Sequence, residues 1–115
     1  MIGLPEAWEI RPGNPDVIVA VVDTGVLSSH PDLAGQLVAG YDFIRNASNA
    51  GDGNGIDNNP EDPGDLSGTS SGSFHGTHVL GTIAARGNNQ IGVVGSAYTS
   101  RAMPLRALGI DGGGT

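Results

Sequence analysis

Two histidines three positions apart, His75 and His78, begin the small-residue run "HGTHVLGTIAA" at positions 75–85. Such a pair suggests three roles: binding a metal ion, accepting a proton, or only starting a helix. Two zinc ligands on one helix face are normally four positions apart with a glutamate between them, and a zinc site needs a third ligand. The Gly-Thr between these histidines therefore disfavours zinc.

His75 is better placed to accept a proton than to bind a metal. It stands at the predicted start of a helix, where the helix backbone would hold the ring while leaving it accessible. The positive end of the helix dipole would favour neutral imidazole, which is the form that accepts a proton. The alternative is that His75 only substitutes for a helix N-cap, and this residue alone does not decide between the two roles.

Asp23 changes that balance because it directly follows the apolar run "VIVAVV" at positions 17–22. A carboxylate at the end of a buried strand is costly to desolvate unless a hydrogen-bond donor or a positive charge meets it. An imidazole N–H is such a donor. The alternative is an ordinary surface carboxylate at a strand end. We expect Asp23 and the ring of His75 to lie in contact.

The elements that must position these two side chains form an α/β pattern. The run at 17–22 has no alternation and predicts a strand buried on both faces of a parallel sheet. Shorter strands are predicted at 37–43 and at 101–108, where Pro104 removes one backbone donor, and a helix at 75 to about 86. The fold class is therefore α/β with a mainly parallel sheet, which gathers reactive groups at the carboxyl ends of its strands.

A long acidic surface loop is predicted at 46–73, between the second strand and the helix. Its oxygen-rich side chains suit a hard cation such as calcium, but Ile56 and a misplaced glutamate exclude an EF-hand. A solvated acidic loop is the alternative, and both remain open. The carboxylates of this segment are Asp52, Asp57, Glu61, Asp62 and Asp65.

The overall composition excludes several classes of partner. Five arginines and twelve carboxylates give a formal net charge of -7, so a nucleic-acid partner is not expected. No apolar run reaches membrane-spanning length and no signal peptide opens the chain, which predicts a soluble, already processed or excised segment without a membrane partner. Cysteine is absent, which leaves neither a disulfide nor a thiolate site.

The blocks "VIVAVVDTGVLSSHPDL" and "HGTHVLGTIAA", in this order, resemble the subtilisin-like serine proteases. The resemblance continues through "GNNQIGVVGSA" and covers nearly the whole chain from about Leu4. It implies a subtilisin-like fold in which Asp23 is the aspartate and His75 the base of a Ser/His/Asp triad. Asp23 would accept the Nδ1 proton, while Nε2 takes a proton from a serine. His78 would then be a packing or hydrogen-bonding residue.

The serine of that triad is missing from this chain. The family's nucleophile block and its oxyanion asparagine lie well beyond the histidine, and neither occurs here. Ser70 in "SGTSSGS" is interpreted as a decoy, because it precedes His75 in a polar loop. Residues 1–115 are therefore interpreted as the amino-terminal part of a catalytic domain. We expect the fragment to be inactive and to associate with itself, because its strand edges and apolar helix faces would lack their cover.

The resemblance also implies a structural calcium ion and a substrate-binding segment. Asp32 matches the family's calcium-binding carboxylate, with further ligands from the loop after the helix: Asn89 and the carbonyls of Gly87, Ile91 and Val93. Gly112 and Gly114 match the start of an edge strand that pairs with the backbone of a peptide or protein substrate. The implied parent is a secreted bacterial endopeptidase completed by the missing carboxyl-terminal part of the domain.

Two other functions are compatible with parts of this sequence. Apolar residues before "DTG" also mark aspartic proteases, but those need two such aspartates and only one occurs here. A calcium-binding or pseudoprotease module of the same fold, without chemistry, is not excluded by the residues present. The downstream sequence would separate that module from a protease.

Overall fold

The computed structural model describes residues 2–64 and 72–114 as three helices, three strands and one 3-10 turn. Among the described residues, no helix is long and apolar enough to cross a membrane. In chain order the elements are α1 (Leu4–Ile10), β1 (Ile18–Asp23), the 3-10 turn Pro31–Leu33, β2 (Tyr41–Asp42), α2 (Ala47–Ala50), α3 (His75–Ala84) and β3 (Arg101–Arg106).

The three strands form one parallel sheet in the order β1-β3-β2. Asp23 at the end of β1 is in register with Arg106 at the end of β3, and Asp42 at the end of β2 is in register with the same arginine. Charged residues therefore terminate all three strands at one edge of the sheet. The predicted α/β fold with a parallel sheet is confirmed.

Only one face of the sheet is covered by the described residues. Val21 and Ala102 pack with Leu80 and Ala84 of α3 in the hydrophobic core. On the opposite face Val22 is 66% exposed, and burial alternates along β1. The prediction that β1 is buried on both faces is therefore wrong for this part of the chain, because α3 packs against one face and no described element packs against the other.

Pro104 lies in β3, the middle strand, where a missing backbone donor would normally break the sheet. Its neighbour on the β2 side is Gly40, just before β2 begins. A side chain on Gly40 would collide with the carbonyl of Pro104. The ladder between β2 and β3 begins only at Tyr41 and Leu105, so it requires no backbone donor from Pro104.

Several predicted bounds are corrected by the structure. The strand predicted at 37–43 is reduced to Tyr41–Asp42, with an isolated bridge between Leu37 and Ala102, and the strand predicted at 101–108 ends at Arg106. The segment 46–73 is not simply a loop, because Asn46 caps the short helix α2 by accepting from the amides of Ser48 and Asn49.

The acidic segment is also tied to the interior by one arginine. The buried guanidinium of Arg106 donates to Asp42 at 2.7 Å and to Asp52 at 3.1 Å, and it also donates to the carbonyl oxygen of Ala50. An arginine at this depth needs several acceptors to replace its hydration. Part of the predicted surface loop is therefore folded against the end of the sheet.

Candidate active site

Asp23 ends β1 with its side chain directed into a mostly enclosed position. The residue is 8% exposed, and its Oδ1 accepts the backbone N–H of Thr24 at 2.7 Å. Its carbonyl oxygen accepts the amides of Ala107 and Leu108, just after β3. The side chain and the backbone of Asp23 are thus both held at the carboxyl edge of the sheet.

His75 is the first residue of α3, and its Nδ1 lies 2.8 Å from Oδ1 and 2.9 Å from Oδ2 of Asp23. The expected contact is therefore present, across 52 positions of sequence. An ionised carboxylate can only accept, so Nδ1 carries the proton and donates it. In the neutral ring Nε2 then holds a lone pair. Because the side chain is 63% exposed, this arrangement can serve as a proton acceptor for a group arriving from outside.

The start of α3 is held by the loop that follows β1, not by its own N-cap. Phe74 at the N-cap position makes no side-chain capping hydrogen bond. The amide of Gly76 instead donates to Thr24 Oγ1 at 3.0 Å. Leu27 N in turn donates to Thr77 Oγ1 at 2.8 Å. These two bonds join the Asp23 loop to the first turn of the helix.

Gly76 is required because the two backbones touch. A Cβ at this position would collide with the carbonyl oxygen of Gly25. Only glycine allows the helix to approach the loop this closely. The Gly-Thr between the two histidines therefore brings the helix start against Asp23.

Thr24 and Asp62 are functional candidates that the sequence interpretation missed. The hydroxyl of Thr24 donates to Asp62 Oδ2 at 2.6 Å while accepting from Gly76. Asp62 belongs to the acidic segment that was predicted to be a surface loop, yet it is only 6% exposed. The position of Thr24 beside Asp23 was a usable signal, whereas nothing local to Asp62 indicated burial.

The segment that carries Gly112 and Gly114 starts next to Asp23 and folds back on itself. Leu108 forms an isolated antiparallel bridge with Gly114, and Gly109 N donates to the carbonyl of Gly113. Residues 108–114 form a turn here, with Gly112 at a φ of 76°, and their pairing with substrate stays a prediction. Its position is linked to the candidate site through the bond from Leu108 N to the carbonyl of Asp23.

The residues predicted to bind calcium are partly brought together. Asp32 is 1% exposed, and its carboxylate accepts from Asn89 Nδ2 at 2.7 Å and from Val93 N at 2.8 Å. These two hydrogen bonds hold the pKa of Asp32 below its ordinary value of 3.8, and the bond from Asn89 has the larger effect. Ile91 N lies 3.3 Å from Asn89 Oδ1, while Gly87 lies against Val94 and Tyr98.

The donor chemistry of this loop fits calcium, since a carboxylate, an amide oxygen and backbone carbonyls are its usual ligands. As the side chains lie, the nitrogen of the Asn89 amide faces Asp32, so its oxygen would have to turn to that side to bind a cation. Within residues 2–64 and 72–114 there is no group of three or more His, Cys, Asp or Glu side chains that could hold a metal ion.

Three further residues were singled out from the sequence: His78, Ser70 and Asp65. His78 is exposed and lines a groove together with Leu27 and Phe74, so its packing or hydrogen-bonding role stays a prediction. It lies one turn along α3 from His75. Ser70 and Asp65 fall outside the described residues.

The described residues thus form a parallel α/β sheet with a hydrogen-bonded Asp–His pair at its carboxyl edge. Residues 14–115 match the model of the Subtilase family, Peptidase S8, and the chain belongs to that family. Its fold is the subtilisin-like protease fold. The recognition from the sequence is confirmed, and this membership replaces the aspartic-protease alternative.

Individual relatives agree with the family assignment. The chain is 45% identical to an extracellular protease of Xanthomonas campestris pv. campestris over 97% of its own length and 20% of that protein. It is 40% identical to thermitase of Thermoactinomyces vulgaris, over 99% of this chain and 34% of thermitase. A solved protease of Pseudoalteromonas arctica PAMC 21717 superposes with a TM-score of 0.88 at 46% identity, covering 97% of this chain and 35% of that one. The chain thus spans about a fifth to a third of these proteins.

Proposed function

We propose that the whole protein is a serine endopeptidase in which this chain supplies the aspartate and the histidine of the triad. The observation that carries the proposal is the contact between Nδ1 of an exposed His75 and a mostly buried Asp23. The family membership and the relatives named as proteases support it. The serine and the oxyanion donors would come from the remaining part of the catalytic domain.

In the proposed reaction, His75 Nε2 takes the proton of a serine hydroxyl as its oxygen attacks the carbonyl carbon of the peptide bond. Asp23 keeps the ring in the correct tautomer and stabilises the imidazolium that forms. The ring then gives this proton to the leaving amine as the C–N bond breaks and the acyl-enzyme remains. A water molecule, deprotonated by the same ring, releases the acid product and restores the serine.

The test compares His75→Ala with His78→Ala in the whole protein, using a chromogenic peptide. We expect His75→Ala to lower kcat by about 10⁴-fold or more, because the general base is lost. His78→Ala is the matched control on the next turn of α3 and should keep near-normal activity. A folded whole protein that turns over no peptide would instead support a non-catalytic module.

Residues 1–115 alone should hydrolyse no peptide, because nucleophile and oxyanion donors are absent. Turnover by the purified chain that disappears in His75→Ala would contradict this.

We also propose that substrate backbone pairs with the segment around Gly112 and Gly114, which begins beside Asp23. In the whole protein, a peptide aldehyde inhibitor should shift the amide resonances of both glycines. Unchanged resonances with bound inhibitor would remove this assignment. Secretion is proposed from the relatives named extracellular proteases. Recovery of the protein only from cells, never from culture medium, would contradict it.

Calcium binding at Asp32, with Asn89 and the carbonyls of Gly87, Ile91 and Val93, is proposed as a structural role. The buried, ionised carboxylate facing an amide supports it. Calcium should raise Tm by about 5 °C at saturating concentration, since binding only the folded state adds stability. The rise should be reversed by chelator and lost in Asp32→Ala.

Asp57→Ala distinguishes this site from the acidic segment. A calcium response that survives Asp32→Ala but is lost in Asp57→Ala would move the site to the acidic segment.

A further inference from the structure

We propose that Asp62 is a positioning residue for the Asp23–His75 pair, acting through the hydroxyl of Thr24. This inference deepens the proposed function and rests on it for its catalytic consequence. Its structural part, the control of the start of α3, stands on the contacts alone. Asp62 and Thr24 are positioning residues, because they act on the pair through the contacts of Thr24 with Gly76 and Asp23.

The hydroxyl oxygen of Thr24 can accept a hydrogen bond from α3 only if the hydroxyl hydrogen points in another direction. Gly76 N donates to Thr24 Oγ1 at 3.0 Å, so the oxygen must present a lone pair to the helix. Asp62 Oδ2, 2.6 Å away, accepts a hydrogen bond from this hydroxyl. Because an ionised carboxylate cannot donate, Thr24 must be the donor in this hydrogen bond. Asp62 therefore sets the orientation of the hydroxyl that caps the helix.

The hydrogen bond from Gly76 N to Thr24 Oγ1 takes the place of the side-chain N-cap that α3 lacks. The N-cap residue Phe74 makes no side-chain capping bond and has a φ of 44°. His75 is the residue between Phe74 and the capped Gly76, so the direction of its side chain depends on where this first turn lies. Thr24 also donates its amide to Asp23 Oδ1. One threonine thus links the carboxylate and the helix start that carries its partner.

The two oxygens of Asp62 have separate tasks, which makes the inference testable. Oδ1 accepts Gly64 N at 2.8 Å and anchors the residue's own turn, whereas Oδ2 faces Thr24. Asp62→Asn can keep the first contact through its amide oxygen and presents a donor to Thr24 in place of the acceptor. It therefore separates positioning from local anchoring. Thr24→Val removes the hydroxyl with little change of shape, and Thr24→Ser retains it.

The experiment is NMR on the whole protein, with hydrogen exchange and the His75 Nδ1 proton resonance as readouts. In Asp62→Asn and in Thr24→Val we expect Gly76 N–H to exchange about five- to tenfold faster, the factor for one lost capping bond. The downfield Nδ1 proton should broaden or disappear. Gly64 exchange in Asp62→Asn and all readouts in Thr24→Ser should stay close to those of the unchanged chain.

Activity of the whole protein supplies the second arm. Thr24→Val and Asp62→Asn should lower kcat by about tenfold or more with little change in KM, because misplacing a base slows chemistry without touching substrate. Thr24→Ser should restore kcat. The double variant should be no worse than the worse single variant, since both changes break one chain of contacts.

The outcomes separate this inference from the proposed function. Unchanged Gly76 exchange and an unchanged Nδ1 signal in both Asp62→Asn and Thr24→Val would overturn the positioning role, whatever the protein's activity. Changed NMR readouts in a protein that cleaves no peptide would support the contact chain and defeat the protease proposal. A loss of Gly64 protection equal to that of Gly76 would reduce Asp62 to an anchor of its own turn.

Discussion

Asp23 and Asp32 are two low-exposure carboxylates that the fold satisfies in different ways. Asp23 meets one imidazole N–H and one backbone amide, and the imidazole is itself exposed. Asp32 meets an amide side chain and a backbone amide from the loop after α3. Hydrogen bonds to the charged form stabilise a carboxylate. The first arrangement leaves a group able to react, and the second holds a loop in place.

The lowered pKa of Asp32 predicts a specific dependence of stability on pH. The folded state holds the ionised form more strongly than the unfolded chain does, so stability from this group is present above 3.8 and is lost as pH falls through the lower folded pKa. In chelator, Asp32→Asn should therefore be destabilised near neutral pH, with the difference from the unchanged chain shrinking below that value. Urea unfolding at a series of pH values measures it.

Asp16→Asn is the control for that series, because Asp16 is exposed. It should track the unchanged chain at all pH values. A difference for Asp32→Asn that does not depend on pH would show that its effect is only a change of packing.

At the scale of elements, the close contact between α3 and the loop after β1 decides whether His75 reaches Asp23. The sequence predicts both elements, since the apolar run and the small-residue run are local patterns. It also contains a glycine at position 76, but it does not reveal why a glycine is needed there. That reason is the carbonyl of Gly25, which comes from a distant part of the chain.

Gly76→Ala should destabilise the chain by about 2 kcal/mol or more, because the new Cβ collides with a backbone atom that cannot move freely. The Asp23–His75 contact should weaken with it, visible as loss of the Nδ1 proton resonance. Gly81→Ala is the matched control in the same helix, with no atom within 4 Å of its new Cβ. It should stabilise by about 0.5–1 kcal/mol in urea unfolding, the usual gain in a helix interior. Equal effects of the two changes would refute the close-contact explanation.

For the whole molecule, the exposed side of the sheet is the dominant feature of the described residues. Three large apolar residues remain at least 49% exposed to solvent: Ile18, Val22 and Phe43. β1 is also an outer strand of the described sheet. Parallel sheets are normally covered on both faces, so this surface favours association.

The isolated chain should therefore self-associate, and Val22→Lys should reduce this by placing a charge on the uncovered face. Ile10→Lys is the control, because Ile10 is 89% exposed but lies in α1. Sedimentation velocity over a range of concentrations measures the effect. A monodisperse, cooperatively melting monomer of the unchanged chain would contradict the expectation.

Patterns along the chain were enough to predict the elements that carry the site, and the family. An unbroken apolar run followed by Asp23, and a small-residue run headed by His75, depend on neighbours along the chain and can be read there. Only the tertiary structure decided which carboxylates are buried, since Asp62 meets Thr24 from 38 positions away and Asp42 meets Arg106 from 64. It likewise decided that one sheet face is uncovered and that Pro104 fits a middle strand. Burial and hydrogen-bond partners depend on what distant segments bring into contact, and no local pattern records that.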